Sequence, residues 1–206
     1  MYQVLSATSA TLKQMVEESM ATDVGPSGLA SFFGGTGIVS LESPREMREN
    51  NHEGISLWLY SVERDEQQLN EPPQTRLLAD GRVELIPAPL PVRLHYLITP
   101  LTTNSPDIEQ RILGKIMQLF HTHASISGPF LRGELAGSDA ELNVHLESLG
   151  LEQTARVWEA LEGSYQLCVS YEVSLARIEL DADPARFSLV ESVKADTTLI
   201  LEREPV

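Results

Sequence analysis

The stretch from Tyr165 to Ala176, YQLCVSYEVSLA, carries the strongest hydrophobic pattern in the chain. Its odd-numbered positions are apolar or aromatic, and its even-numbered positions are polar or small. Successive side chains of a β-strand point to opposite faces of the sheet. The alternation therefore predicts one long strand that is buried on one face and polar on the other.

Working outward, other segments have the spacing of strands or helices. Strands are expected at Ile55–Val62, Val92–Ile98 and Leu142–Leu146. Helices are expected at residues 4–20, from Pro106 to Phe120 with Ser105 as the N-cap, and at Leu151–Leu161. Strands and helices are intermixed, but the helices are too few for a doubly wound sheet. The prediction is an α+β fold, a single mixed or antiparallel sheet with about three helices packed largely on one face.

The segments between these elements are expected to be irregular. Glu63–Pro91 is polar and contains five prolines, which cannot donate to a sheet ladder, so it predicts a long surface excursion. Thr99–Pro106 is expected to be a turn. Residues 1–180 are predicted to form one domain, and 181–206 a C-terminal tail ordered only on assembly. Within that tail, Thr197–Leu201 has strand character.

Composition excludes several classes of function. The 206 residues carry 30 Asp and Glu against 15 Lys and Arg, a formal net charge of −15. So acidic a surface repels phosphate backbones and anionic lipids, which argues against nucleic-acid and membrane partners. A single cysteine allows no internal disulfide, and neither a secretory signal nor an apolar run of roughly 20 residues is evident. We therefore expect the chain to be made and folded in a cytoplasm.

A glycine-rich run and the histidines invite a chemical role, but simpler interpretations apply. Gly34–Gly37 lacks the Lys-Ser/Thr of a phosphate-binding loop and the Gly-x-Gly-x-x-Gly spacing, so a flexible turn is favoured. His121 and His123 are two apart near a helix end, where side chains at i and i+2 diverge. Neither they nor His145 has further ligands at zinc spacing. Whether His121 and His123 hold a ligand stays open.

No catalytic constellation is apparent either. Cys168 has no neighbouring base in the sequence, which favours a packed, inert thiol. The carboxylates are spread along the chain, so no acid–base pair stands out. We expect no catalytic, cofactor-binding or metal-binding residues, and no enzyme activity.

Several blocks, taken in order, resemble the tail-terminator (cap) proteins of extracellular contractile injection systems of the antifeeding-prophage and Photorhabdus-virulence-cassette type. The resemblance covers roughly residues 3–180, the N-terminal domain of that family. It is carried by Leu59–Glu63 with the proline-rich excursion, Val92–Leu101, Glu109 with Leu113-Gly114 and Met117–Phe120, Val157–Leu161, and Tyr165–Val173.

This resemblance implies a non-enzymatic cap. Such a protein would form a homohexameric ring at the end of the inner tube and sheath of a phage-tail-like particle and stop its growth. Its partners would be itself and the tube and sheath proteins, in the cytoplasm during assembly and outside the cell after release of the particle. The contact elements expected are Pro72–Pro91, the turn Pro100–Asn104 and the tail Val190–Val206. The alternative is a stand-alone adaptor or assembly factor of the same fold that the particle does not retain.

Overall fold

The computed structural model describes residues 3–24, 28–32, 39–68, 74–80, 82–86, 88–103, 105–178 and 185–188. The predicted segments Gly34–Gly37 and Thr197–Leu201 lie outside these residues. The chain divides into two units: Met1–Asn70 with Pro89–Leu180, and Glu71–Ala88 with Asp181–Val206. The two units are described separately below.

The first unit contains five α-helices, three short 3-10 helices and six strands within its described residues. Its α-helices are α1 (Val4–Ala21), α2 (Leu29–Phe32), α3 (Pro44–Glu49), α4 (Pro106–Thr122) and α5 (Leu151–Ala160). Its strands are β1 (Val39–Ser40), β2 (Gly54–Arg64), β5 (Leu90–Leu101), β6 (Ser125–Ser127), β7 (Glu141–Glu147) and β8 (Val169–Ile178). None of the helices in the described residues combines the length and hydropathy that crossing a bilayer requires.

The six strands form one mixed sheet in the order β1-β2-β5-β8-β7-β6. Only β1 and β2 pair in parallel, and the other neighbours are antiparallel. This confirms the predicted α+β class with a mixed sheet. The strand quoted first, β8, lies near the middle of the sheet between β5 and β7.

The main core lies between one face of this sheet and the helices α1 and α4. Leu57, Tyr96 and Val173, from three adjacent strands, are buried there with Val16 of α1 and Ile116 of α4. The serines and threonines buried in α1 are satisfied locally, because their hydroxyls bond carbonyls one turn earlier. Small hydroxylated residues thus let this helix pack closely on the sheet.

The opposite face of the sheet holds a second, smaller core under α5. Leu97 of β5 points to this face because it lies between Tyr96 and Ile98, which face the main core. Leu97 packs with Trp158 and Leu161, all at most 6% exposed. The predicted helices therefore divide between the two faces, with α1 and α4 on one and α5 on the other.

Two predicted boundaries were wrong. The strand at the end of the pattern begins at Val169 rather than Tyr165, and Tyr165 and Leu167 are 55% and 44% exposed. The predicted turn at Thr99–Pro106 is shorter, because β5 continues through Leu101. Ser105 is the N-cap residue of α4, as predicted. Its hydroxyl donates to the Thr103 carbonyl, however, and does not cap the helix.

The second unit contains a small antiparallel sheet. Its strands are β3 (Gln74–Leu77), β4 (Arg82–Ile86) and β9 (Ala185–Ser188), in the order β3-β4-β9. The interpretation of Glu63–Pro91 as an irregular excursion was therefore incomplete, because a hairpin forms between the prolines. Across that hairpin, Arg76 Nη1 lies 3.9 Å from Glu84 Oε2.

Candidate functional site

Of the histidines singled out by the sequence, His121 and His145 line one groove between α4 and β7, and His123 is not part of its lining. His121 is exposed on the last turn of α4, whereas His123 follows the helix and packs against Phe130, with 5.3 Å between ring centroids. In the described part of the chain, neither belongs to a group of three metal-ligand side chains. The geometry near the end of α4 is thus that of a capped helix end.

Cys168 lies half-buried beside the small core under α5. Burial raises the pKa of the Cys168 thiol, which keeps it protonated and unreactive near neutral pH. This is the behaviour expected of a packed thiol.

A polar network crosses four strands on the α5 side of the sheet. Glu147 of β7 accepts a hydrogen bond from the Ser170 hydroxyl of β8 through Oε2. Its other oxygen, Oε1, lies 2.9 Å from Nδ1 of His95, which is only 7% exposed on β5. The Tyr60 hydroxyl of β2 lies 3.4 Å from Glu147 Oε2 and 3.2 Å from Ser170 Oγ. One carboxylate therefore links β2, β5, β8 and β7 by side-chain bonds.

A β-bulge helps to place Tyr60 in this network. The β2–β5 register shifts between Leu59 and Ser61, which makes Tyr60 an extra residue in β2. Burial raises the pKa of Tyr60, and the Glu147 carboxylate raises it further, against an opposing hydrogen bond to Ser170. The phenol therefore stays protonated and able to donate at neutral pH.

Charged groups next to the network are also paired. Arg93 Nε lies 3.6 Å from Asp65 Oδ1, and Arg93 Nη1 lies 3.6 Å from Glu172 Oε2. These ion pairs connect β5 to β8 and to the end of β2. Glu63 Oε2 lies 3.7 Å from His95 Nε2. The imidazole is thus flanked by carboxylates on two sides.

The network also contains the one group of metal-ligand side chains found in the described residues. Ligand atoms of His95, Glu147 and Glu172 lie within 4.8 Å of one another. The existing contacts use the same atoms, however, since Glu147 binds His95 and Ser170 while Arg93 faces Glu172. The carboxylates of Glu147 and Glu172 are thus already engaged, whereas His95 Nε2 and Arg93 Nε are buried without a hydrogen-bond partner among the described residues.

Sequence reasoning missed this network. Glu147 was not singled out, and His95 and Ser170 were assigned only as alternating strand residues. The available signal was polar side chains recurring at every second position of otherwise apolar strands. Which of them meet depends on strand order, and local periodicity contains no information on that.

An open groove of about 450 Å³ lies on the other side of the sheet, between α4 and β7. Its lining includes Met117, Gln118 and His121 of α4 and Leu146 of β7. Met117 and Leu146 are 39% and 48% exposed. The groove combines apolar side chains with Gln118 and His121 of α4 and His145 of β7, a composition suited to a protein contact.

The predicted contact turn Pro100–Asn104 is shorter than expected. Pro100 and Leu101 are buried in β5 and leave no surface for a partner. Thr102 and Thr103 form the turn, and Asn104 lies outside the described residues. Of the other two expected contact elements, Pro72–Pro91 contains the hairpin β3–β4, and Val190–Val206 lies outside the described residues.

The fold is that of terminator proteins from contractile injection systems. The PVC sheath/tube terminator of an extracellular contractile injection system, in its extended state, matches with a TM-score of 0.61 and 15% identity, over 94% of this chain and 65% of that one. The tube-terminating cap of the anti-feeding prophage matches with a TM-score of 0.57 and 17% identity, over 96% of this chain and 61% of that one. The chain thus spans just under two thirds of the length of each.

Residues 7–192 match the Pvc16 N-terminal domain family, and the chain belongs to that family. The expectation of a terminator-type N-terminal domain is confirmed by this match and by the shared fold. No curated protein sequence is similar enough to this chain to count as a match.

Proposed function

We propose that this protein is a structural cap that ends the inner tube and sheath of a phage-tail-like contractile injection particle. The observation that carries the proposal is membership of the Pvc16 N-terminal domain family over residues 7–192. The fold shared with two terminator proteins, one named for the sheath and tube and one for the tube alone, supports it. The cap acts by binding and not by catalysis.

The proposed cap is a ring of six copies. A closed ring needs a heterologous contact, in which one surface of each subunit matches a different surface of the next. Its further partners are the tube and sheath proteins, and it binds neither nucleic acid nor membrane. The net charge of −15 supports that last point, because phosphate groups would be repelled. Assembly takes place in the cytoplasm, and the cap leaves the cell with the particle.

Deletion of the gene tests the function. Without the cap, electron microscopy should reveal tubes or sheaths of uncontrolled length, or a loss of assembled particles. Complementation with the intact gene should restore uniform particles. Uniform particles in the deletion strain would contradict the proposal.

Mass spectrometry of purified particles separates the cap from an assembly factor. A cap is a stoichiometric component and should be found at a fixed ratio to the baseplate proteins. An adaptor that acts only during assembly would be absent from washed particles. Finding the chain in cell extract but not in particles would favour the adaptor.

A further inference from the structure

One face of α4 stays at the surface of the first unit. It carries six residues, which we call the α4 strip: Arg111, Gly114, Lys115, Met117, Gln118 and His121. Lys115 is half-buried and the other five are exposed. The opposite face of the same helix is buried, with Ile112, Ile116 and Phe120 at most 2% exposed. The strip thus lies on the solvent side of a helix that is firmly anchored in the core.

The α4 strip is basic on a chain that is strongly acidic. From Gln110 to Gly133 the sequence contains no Asp or Glu, whereas the whole chain has 30. Arg111 and Lys115 make no ion pair with any carboxylate in the described part of the chain. Other arginines of this unit, such as Arg45 and Arg132, do make such pairs. Exposed Asp107 lies one turn before Arg111 on the same helix, so the positive charge of the strip is concentrated between Arg111 and His121.

Gly114 has no internal reason to be glycine. It lies in the middle of α4, where glycine costs helix stability relative to alanine. A Cβ added there would have no atom within 4 Å, so neither packing nor backbone conformation requires its absence. A flat, bare point on a helix lets another chain approach the helix backbone closely.

Apolar surface adjoins the charged part of the strip. Met117, Gln118 and His121 also line the groove of about 450 Å³ that continues to Leu146 of β7. Met117 lies one turn from Gly114 on the same face. Positive charge, the exposed backbone at Gly114 and apolar surface thus lie on one face of α4.

The same chain carries a complementary acidic segment. From Glu134 to Ala155 there are carboxylates but no Lys or Arg. Glu134, Asp139 and Glu141 are exposed, and none forms an ion pair within the described residues. A heterologous contact between identical subunits joins two different surfaces, and opposite charge on the two favours their association.

We propose that the α4 strip of one copy docks on the acidic segment Glu134–Glu141 of a second copy. This inference rests on the proposed ring and names the surfaces that close it. A basic strip facing an acidic segment reduces, at the contact, the like-charge repulsion that opposes the packing of chains with a net charge of −15.

Photocrosslinking identifies what covers the strip. With p-benzoylphenylalanine in place of Met117, irradiation of purified particles should produce an adduct of two copies of this chain. Peptide mapping should place the adduct near residues 134–141 of the second copy. An adduct with a tube or sheath protein, or no adduct, overturns the proposal. If the chain is absent from particles, the proposed function fails, and the same crosslink in concentrated purified protein still decides the contact.

Charge reversal tests the pairing. Arg111→Glu with Lys115→Glu should weaken self-association on the order of tenfold in sedimentation velocity. Arg48→Glu with Arg64→Glu is the matched control, because it reverses two exposed arginines elsewhere and should weaken association less. Adding Glu134→Lys and Asp139→Lys to the first pair should restore association. The proposal is overturned if the control double variant weakens association as much as the Arg111 and Lys115 double variant does. It is also overturned if the added lysines do not restore association.

A glycine substitution separates a contact role from a structural one. Gly114→Gln should raise Tm, because it removes a glycine from a helix interior, and should at the same time weaken self-association. A merely structural role would not move the two measurements in opposite directions. A rise in Tm with unchanged association contradicts the close approach at this point.

Discussion

Gly114 and Gly133 look alike in sequence but differ in what they do for the fold. Gly114 lies in the interior of α4 with open space around it, whereas Gly133 has φ +60° and lies close to α1. A Cβ at Gly133 would come within 3.2 Å of the Ala7 Cβ. Gly114→Ala should therefore stabilise the protein by about 0.5–1 kcal/mol. Gly133→Ala should destabilise it by about 1–2 kcal/mol.

Urea unfolding of the two variants checks this pair. Each serves as the control for the other, because the same methyl group is added in both cases. Destabilisation by Gly114→Ala would mean that α4 needs glycine there for an internal reason.

Two buried tyrosines predict an alkaline loss of stability. Burial raises the pKa of Tyr96 and of Tyr171 to about 12, against roughly 10 in an unfolded chain. Between these values the folded state binds more protons than the unfolded state, so stability falls as pH rises. The stability that the two raised pKa values contribute is fully present below pH about 10 and is lost as pH approaches 12.

Tyrosine-to-phenylalanine variants measure this effect. Tyr96→Phe and Tyr171→Phe should each make the fall in unfolding free energy between pH about 10 and 12 shallower. At neutral pH, Tyr96→Phe should also cost about 1 kcal/mol, because the Tyr96 hydroxyl bonds Ser9 Oγ at 2.8 Å. If the unfolding free energy of these variants falls with pH as steeply as that of the wild type, the two tyrosines are not the cause of the alkaline loss of stability.

At the scale of elements, the Glu147 network holds four strands in register. Glu147→Ala removes the partner of the buried His95 and of the Ser170 hydroxyl. Leaving such groups unsatisfied should cost about 1–3 kcal/mol of unfolding free energy. Glu152→Ala is a matched control, because the ion pair that Glu152 forms within the described residues is with the exposed Arg156 one turn away on α5, and it should cost less than about 0.5 kcal/mol.

Chemical denaturation of both variants, with amide exchange of β7, measures the difference. Faster exchange confined to β7 and β8 in Glu147→Ala would place the loss at the sheet. Equal stability of the two variants would mean that the network contributes nothing to register.

Most regular elements could be predicted, because local periodicity determines them. The predictions for α1, β2, β5, α4, β7 and α5 were confirmed within a few residues. The pattern starting at Tyr165 was extended too far, because alternation alone does not distinguish a paired strand from an extended chain. The hairpin β3–β4 was missed because its strands are short and lie among prolines.

At the scale of the whole molecule, the excess of acid predicts a salt effect on folding. A net charge of −15 repels itself in the folded state, and salt screens that repulsion. Tm should therefore rise between about 10 mM and about 150 mM NaCl. A Tm that falls with added salt would mean that favourable ion pairs outweigh the repulsion.

Arg48→Glu provides the comparison for that measurement. It adds acid at an exposed site of α3 and should steepen the rise of Tm with salt. Self-association through the α4 strip should respond in the opposite direction, since screening weakens the attraction between a basic strip and an acidic segment.

The sequence by itself determined the α+β class, most of the elements, the acidic character of the chain and its family resemblance. Hydrophobic periodicity and charge are properties of short segments, so they can be predicted before folding. Only the tertiary structure decided that Glu147 meets His95, Ser170 and Tyr60, and that the outer face of α4 places Arg111 and Lys115 next to residues that line an apolar groove. These features depend on strand order and on the face that each helix buries, which are set by contacts between residues far apart in the chain.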